Sequence, residues 1–215
     1  MPQGYVALVL HAHLPYVRHP ELSYSLEEKW LFEGITETYI PLIATLQSLV
    51  RDNVDFALTI SLSPTLISML EDEFLQNRYL NHLKLLMELA DKEVERTSNQ
   101  PAFHHLAQMY RRIYYEAYDL YYRRYRGRLM LAFQELDRSG KVEFITCAST
   151  HGYLPLLDIH REVLRAQVQV AVELFRRYFG RHPQGFWLPE CGYAPGDDEI
   201  LAEYGIKYFI VDTHG

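Results

Sequence analysis

The feature that most constrains the fold of this chain is a rhythm in which short apolar runs alternate with long amphipathic segments. The runs fall at residues 5–10, 56–60, 142–146, 186–188 and 208–211. The first, from Tyr5 to Leu10, is apolar throughout, as expected of a strand covered on both faces. Helical patterns occupy the intervals at about residues 28–51, 63–74, 80–96, 101–139, 161–179 and 197–204. Ser63–Pro64 supplies a capping side chain followed by proline at the first helical position. Gly140 and Gly180 stand where helices should stop. Strands and helices in this order predict an α/β fold of βαβ units with parallel strands, in a sheet or barrel. A helical insertion at about residues 63–139 separates the second and third strands, and residues 1–215 read as one domain.

The polar residues reinforce that pattern. His11 and His13 follow the first run, Ser61 and Ser63 the second, and Ser149, Thr150 and His151 the third. Glu190 follows the fourth, and Asp212, Thr213 and His214 the fifth. These are the carboxyl ends of the predicted strands, where α/β barrels and open sheets place their sites. The helical insertion leaves from the same end and is expected to help wall the cleft.

Composition narrows the function classes. With 215 residues, 48% of them hydrophobic, the chain can bury a sizeable core. A net charge of −7 offers a polyphosphate no overall attraction, so no nucleic-acid partner is expected. No apolar run approaches the roughly 20 residues of a membrane helix, and Met1–Pro2–Gln3–Gly4 lacks the charged start of a signal peptide. The expectation is a soluble, cytoplasmic protein with no membrane partner. Cys147 and Cys191 are too few for a disulfide scaffold and lack zinc-site spacing, so both are read as reduced.

Each chemistry-bearing position has two readings. His11–Ala12–His13 places two imidazoles on one side of an extended segment, which suits a metal-binding pair and equally two groups that hydrogen-bond a sugar hydroxyl. No other His, Cys or Asp pair has complementary spacing, so the metal reading is the weaker one. Glu190, after Pro189 and an apolar strand, reads as a buried, partnered carboxylate, either a functional group or a costly structural one, with the functional reading favoured. His151 balances between a ligand contact and a structural histidine. Trp30 is a sugar platform or a helix-face core residue, with the core favoured by sequence alone. Tyr110, Tyr114, Tyr118, Tyr121, Tyr122 and Tyr125 recur at helical steps among arginines, and a tyrosine packing face with a solvated basic flank is a simpler account than RNA binding.

Taken together, these segments resemble glycoside hydrolase family 57. His11–Ala12–His13–Leu14–Pro15–Tyr16 is similar to its first conserved region, and Trp187–Leu188–Pro189–Glu190–Cys191 to the region of its catalytic nucleophile. The stretches Trp30 to Leu42 and Thr150 to Leu157 resemble the 1,4-α-glucan branching branch of that family. The resemblance implies the N-terminal part of an incomplete (β/α)₇ barrel. It also implies a retaining mechanism in which Glu190 attacks the anomeric carbon of an α-1,4 link and a glucan 6-hydroxyl captures the glycosyl-enzyme. On the same basis His11, His13 and His151 hold sugar hydroxyls, Trp30 lines the groove, and neither metal nor other cofactor is needed. The implied partner is an α-glucan such as amylose or a glycogen-like polymer.

The family's acid/base aspartate belongs to a later conserved region than Gly215, and Asp197, Asp198 and Asp212 do not match its motif. The expectation is therefore half an active site, with little or no branching by this polypeptide alone and a barrel edge open to self-association. Other readings are an α-amylase or 4-α-glucanotransferase of the same family, a metal-dependent hydrolase using His11 and His13, and an inactive glucan-binding remnant.

Overall fold

Five parallel strands form a single sheet in the order β1-β2-β3-β4-β5, each paired with its neighbour in sequence. They are β1 (Val9–Ala12), β2 (Leu58–Leu62), β3 (Val142–Cys147), β4 (Gly185–Trp187) and β5 (Tyr208–Ile210). This computed structural model describes residues 4–213; His214 and the start Met1–Pro2–Gln3 lie outside the described residues. The chain divides into two compact units, Met1–Tyr16, Asn53–Met69 and Gln134–Gly215 in the first, Val17–Asp52 and Leu70–Phe133 in the second.

The sheet belongs wholly to the first unit. Its helices are α3 (Pro64–Leu70), α7 (Leu154–Leu157), α8 (Arg161–Phe179) and α9 (Asp197–Glu203), joined by the second half of α6 (Leu129–Arg138). α8 buries Leu164, Val168, Ala171, Val172 and Phe175, a spacing of three and four that makes one apolar stripe. That stripe packs with Phe186 and Leu188 from β4 and its continuation, and with Ile200, Leu201 and Ile206. The helix stops at Gly180, whose φ of 67° is the left-handed conformation that closes helices with little strain in glycine. Ser63 Oγ accepts the Leu66 amide, capping α3 as its sequence suggests.

The second unit is helical. α1 (Leu26–Gly34) and α2 (Ile40–Arg51) are joined without a break by a π-helical turn, Ile35–Tyr39. There the Thr36 hydroxyl bonds the Phe32 carbonyl at 2.9 Å and meets Tyr79 Oη at 2.9 Å. α4 (Glu73–Arg96) and α5 (Pro101–Tyr118) follow, and α5 runs into a second π-helical turn, Asp119–Arg124. Among the described residues no helix is long and apolar enough to cross a membrane.

Several expectations change. The first strand begins at Val9, and Tyr5 and Val6 are almost fully exposed. The register starts at Val9 with Thr59, so residues 5–8 gain no cover from a ladder. The helical pattern at 63–74 ends at Leu70, because Asp72 caps a new helix by accepting the Leu75 amide at 2.9 Å. The stretch 101–139 is not continuous either. Arg126 and Gly127 both take positive φ, which turns the chain before α6. The tyrosines do not share one face: Tyr121 and Tyr125 are buried while Tyr110 and Tyr122 are exposed. A π turn advances side chains by less than the usual helical step, and this one rotates Tyr121 inward to meet Tyr79 edge-on at 4.6 Å.

Phe186 is fully buried in the core beneath the site, whereas Leu156 on α7 is 73% exposed. Phe186→Ala should therefore cost about 3–5 kcal/mol, and Leu156→Ala no more than about 0.5 kcal/mol. Urea titrations of the two variants check the difference.

Candidate active site

At the carboxyl ends of the strands, four rings gather into one stack. His11 lies against Trp187 with centroids 4.6 Å apart and planes only 7° apart. His151 stacks on His13 at 3.7 Å and on His11 at 5.0 Å, and His11 and His13 are 5.7 Å apart. In a flat sheet β1 and β4 would be separated by three strand spacings, about 14 Å. Contact between rings from those two strands therefore means the sheet is curled, with these side chains on its concave face, as in a barrel wall.

Each imidazole has its own support. The ladder pairs His11 with Ser61, and His11 Nδ1 lies 3.1 Å from Ser61 Oγ. His13 Nδ1 lies 3.3 Å from Thr65 Oγ1, whose hydroxyl also reaches the Leu14 carbonyl at 3.1 Å. A hydroxyl that donates to Leu14 is left as an acceptor for the ring N–H, which makes His13 Nε2 the free acceptor. His151 is held through its loop. Gln167 on α8 accepts the Thr150 amide at 2.9 Å, donates to Thr150 Oγ1 at 2.8 Å, and accepts the Ser149 amide on its own carbonyl at 3.0 Å. His11 Nε2 is buried and has no hydrogen-bond partner among the described residues.

Glu190 stands at the rim of the stack, with Oε1 3.4 Å from His151 Nε2. Its side chain is 78% exposed, which corrects the expectation of a buried carboxylate. The apolar strand does not carry on through it. Pro189–Cys191 form a tight 3₁₀ turn, and Glu190 takes φ 53° and ψ 26°, which swings its side chain off the strand line into solvent. Cys191 and His151 share this left-handed backbone, with φ of 56° at each. Such conformations cost L-residues roughly 1–2 kcal/mol each and concentrate at functional sites. Beside the turn, Gly192 is packed so closely on Tyr153 that a β-carbon there would lie 2.3 Å from the ring.

Burial keeps the imidazoles neutral. It pulls His11 down to about 3, helped by His151 and His13, and His13 to about 4, helped by His151 and opposed by Glu190. His151 is lowered too, chiefly by burial, although Glu190 pulls the other way. Among the described residues no group of three or more His, Cys, Asp or Glu side chains is placed to hold a metal ion. An open groove of about 690 Å³ starts at His13 and His151 and continues past Thr65, Thr150, Val170 and Leu174. Its size suits a small-molecule or oligomer subsite.

The structure thus brings together His11, His13, His151 and Glu190. Trp30 lies on α1 in the second unit, 48% exposed, so its sequence reading as a core residue does not hold. Asp212 and Thr213 are exposed after β5, where the Asp212 carboxylate accepts the Thr213 amide. Thr65 and Gln167 are not singled out by the sequence, and Trp187 enters it only as part of the motif around Glu190. Trp187 had a legible signal, an aromatic three residues before the carboxylate, but Gln167 had none.

Comparison with known proteins fits this geometry. The profile of Glycosyl hydrolase family 57 matches residues 7–215. The chain is 33% identical, over 98% of its own length, to a 1,4-alpha-glucan branching enzyme of Thermococcus kodakarensis, and covers 33% of that protein. It therefore spans about a third of the length of that curated relative. Among solved structures it superposes on the alpha-amylase AmyC of Thermotoga maritima with a TM-score of 0.90 and 44% identity, covering 97% of this chain and 39% of that one. On a GH57-type branching enzyme of Pyrococcus horikoshii it superposes with a TM-score of 0.88 and 32% identity, covering 98% of this chain and 42% of the other.

The depressed imidazole values make stability depend on pH. Unfolded histidines take up protons near pH 6.5 and the folded ones do not, so stability is full above about pH 6.5 and falls as pH drops towards 4 and then 3. His13→Gln should flatten the decline between pH 6.5 and 5, as followed by thermal melts across that window. With strands, site and relatives in agreement, the chain belongs to Glycosyl hydrolase family 57.

Proposed function

We propose that this chain forms the nucleophile side of a 1,4-α-glucan branching site, with Glu190 as the attacking carboxylate. The observation that carries the reading is the placement of an exposed Glu190 at the rim of a neutral, stacked set of imidazoles. Neutral rings donate and accept hydrogen bonds without placing a cation beside a carboxylate that must attack. His11, His13 and His151 would hold hydroxyls of the sugar at the scissile bond, and the unpartnered His11 Nε2 supports such a role. Trp30, exposed on its helix, would serve as a platform along the glucan.

The reaction would be a double displacement. Glu190 attacks the anomeric carbon as the leaving 4-oxygen takes a proton from a second carboxyl group. A 6-hydroxyl of another glucan segment then displaces Glu190 and returns a proton to that second group. Glycogen-like polymers made in the cytoplasm are the substrates this reading implies, consistent with two unbonded cysteines. Self-association through the outer strands belongs to the same reading, because β1 and β5 each pair on one side among the described strands.

An α-amylase is the second reading, favoured by the 44% identity to AmyC. It shares Glu190 and differs in the acceptor, which would be water. The branching reading draws on the names of the curated relative and of the Pyrococcus structure.

A fluoride leaving group needs little protonation, so a 5-fluoro-α-glucosyl fluoride tests the nucleophile apart from any acid/base. Mass spectrometry should find one covalent glycosyl adduct on the peptide carrying Glu190, and none in Glu190→Gln. An adduct at another residue, or an equal one in the variant, would overturn the assignment. Product linkage on amylose separates the readings, with α-1,6 links for branching and shortened α-1,4 chains for an amylase.

A further inference from the structure

His151 has a neighbour at each ring nitrogen. Nε2 lies 3.4 Å from Glu190 Oε1, and Nδ1 lies 3.5 Å from Cys147 Sγ. An ionised carboxylate only accepts hydrogen bonds, and a neutral imidazole has one N–H to give. Facing Glu190, that proton belongs on Nε2, which leaves a lone pair on Nδ1. The group facing the lone pair is a thiol at the end of β3, fully buried and four residues before His151. The left-handed turn at His151, closed by its amide on the Ala148 carbonyl at 3.0 Å, folds the ring back over that thiol.

We propose that Cys147 is a positioning residue, whose S–H donates to His151 Nδ1 and fixes the neutral tautomer that presents Nε2–H to Glu190. The inference rests on the reading of Glu190 as the site carboxylate. Burial pushes the Cys147 thiol far up, so it keeps its proton and remains a donor. The competing acceptor for that proton is the Ala148 carbonyl, also at 3.5 Å. Stacked His11 and His13 add no donor that the structure places at Nδ1; the charged and titratable groups about the ring are His11, His13, Glu190 and Cys147 itself. The bland account is that a small buried cysteine merely fills space, and it predicts no effect on which nitrogen carries the proton or on the titration of the ring.

Long-range nitrogen–proton NMR on the intact protein with ¹⁵N-labelled histidine separates the two. In the parent protein His151 should show a protonated Nε2 and an unprotonated Nδ1. A donor to Nδ1 stabilises the neutral ring, so Cys147→Ala should raise the His151 pKa by about half a unit or more, and Cys147→Ser, which keeps an O–H donor, should hold it low. A proton on Nδ1 in the parent overturns the proposal, as does the same His151 titration in parent, Ala and Ser proteins, or a Ser variant that behaves like Ala. If Cys147→Ala fails to fold, the parent tautomer and the Ser titration still decide. Failure of the nucleophile reading looks different: Glu190→Gln would still form the covalent glycosyl adduct while the parent tautomer stood as described.

Discussion

Everything in the site depends on the contact between His11 on β1 and Trp187 on β4. Two rings borne by strands that are not neighbours meet because the parallel sheet curls, and the curl turns the period-two side chains of several strands onto one concave face. Once those rings touch, His13 and His151 complete the stack, and desolvation of the whole group keeps it neutral. The backbone then accepts left-handed conformations at His151, Glu190 and Cys191 to bring a carboxylate to the edge of that neutral surface.

Neutrality and exposure have complementary effects. Buried imidazoles are poor proton acceptors and good fixed hydrogen-bonding groups, which suits the recognition of hydroxyls. Glu190, by contrast, is exposed to solvent with one imidazole neighbour, which suits the role proposed for it. The supporting residues are ordinary polar side chains, Ser61, Thr65 and Gln167, each tying one part of the stack to the sheet, to α3 or to α8.

Much of this was legible in the sequence. Apolar runs separated by helical periods locate the five parallel strands, with bounds off by up to four residues, and α8 to the residue, because burial of one helix face and of a covered strand leaves a periodic trace. His11 and His13 were readable from their spacing of two, and Glu190 from its place after a strand. Other features left no such trace. The two π-helical turns change side-chain direction without changing composition, so Tyr121 and Tyr110 were read as one face. Glu190's exposure depends on a positive φ that neither its own identity nor the preceding proline announces. Gln167 acts across 17 residues on a loop, a relation set by how α8 packs on the sheet.

The central claim is that the imidazole stack is the surface that receives an α-glucan. Titrating a maltooligosaccharide into protein labelled at histidine tests it most directly. The ring signals of His11, His13 and His151 should move together and saturate, while those of His104 and His105, on α5 of the second unit, stay in place. Shifts confined to His104 and His105, or saturable binding that leaves the three stacked rings unmoved, would contradict the account.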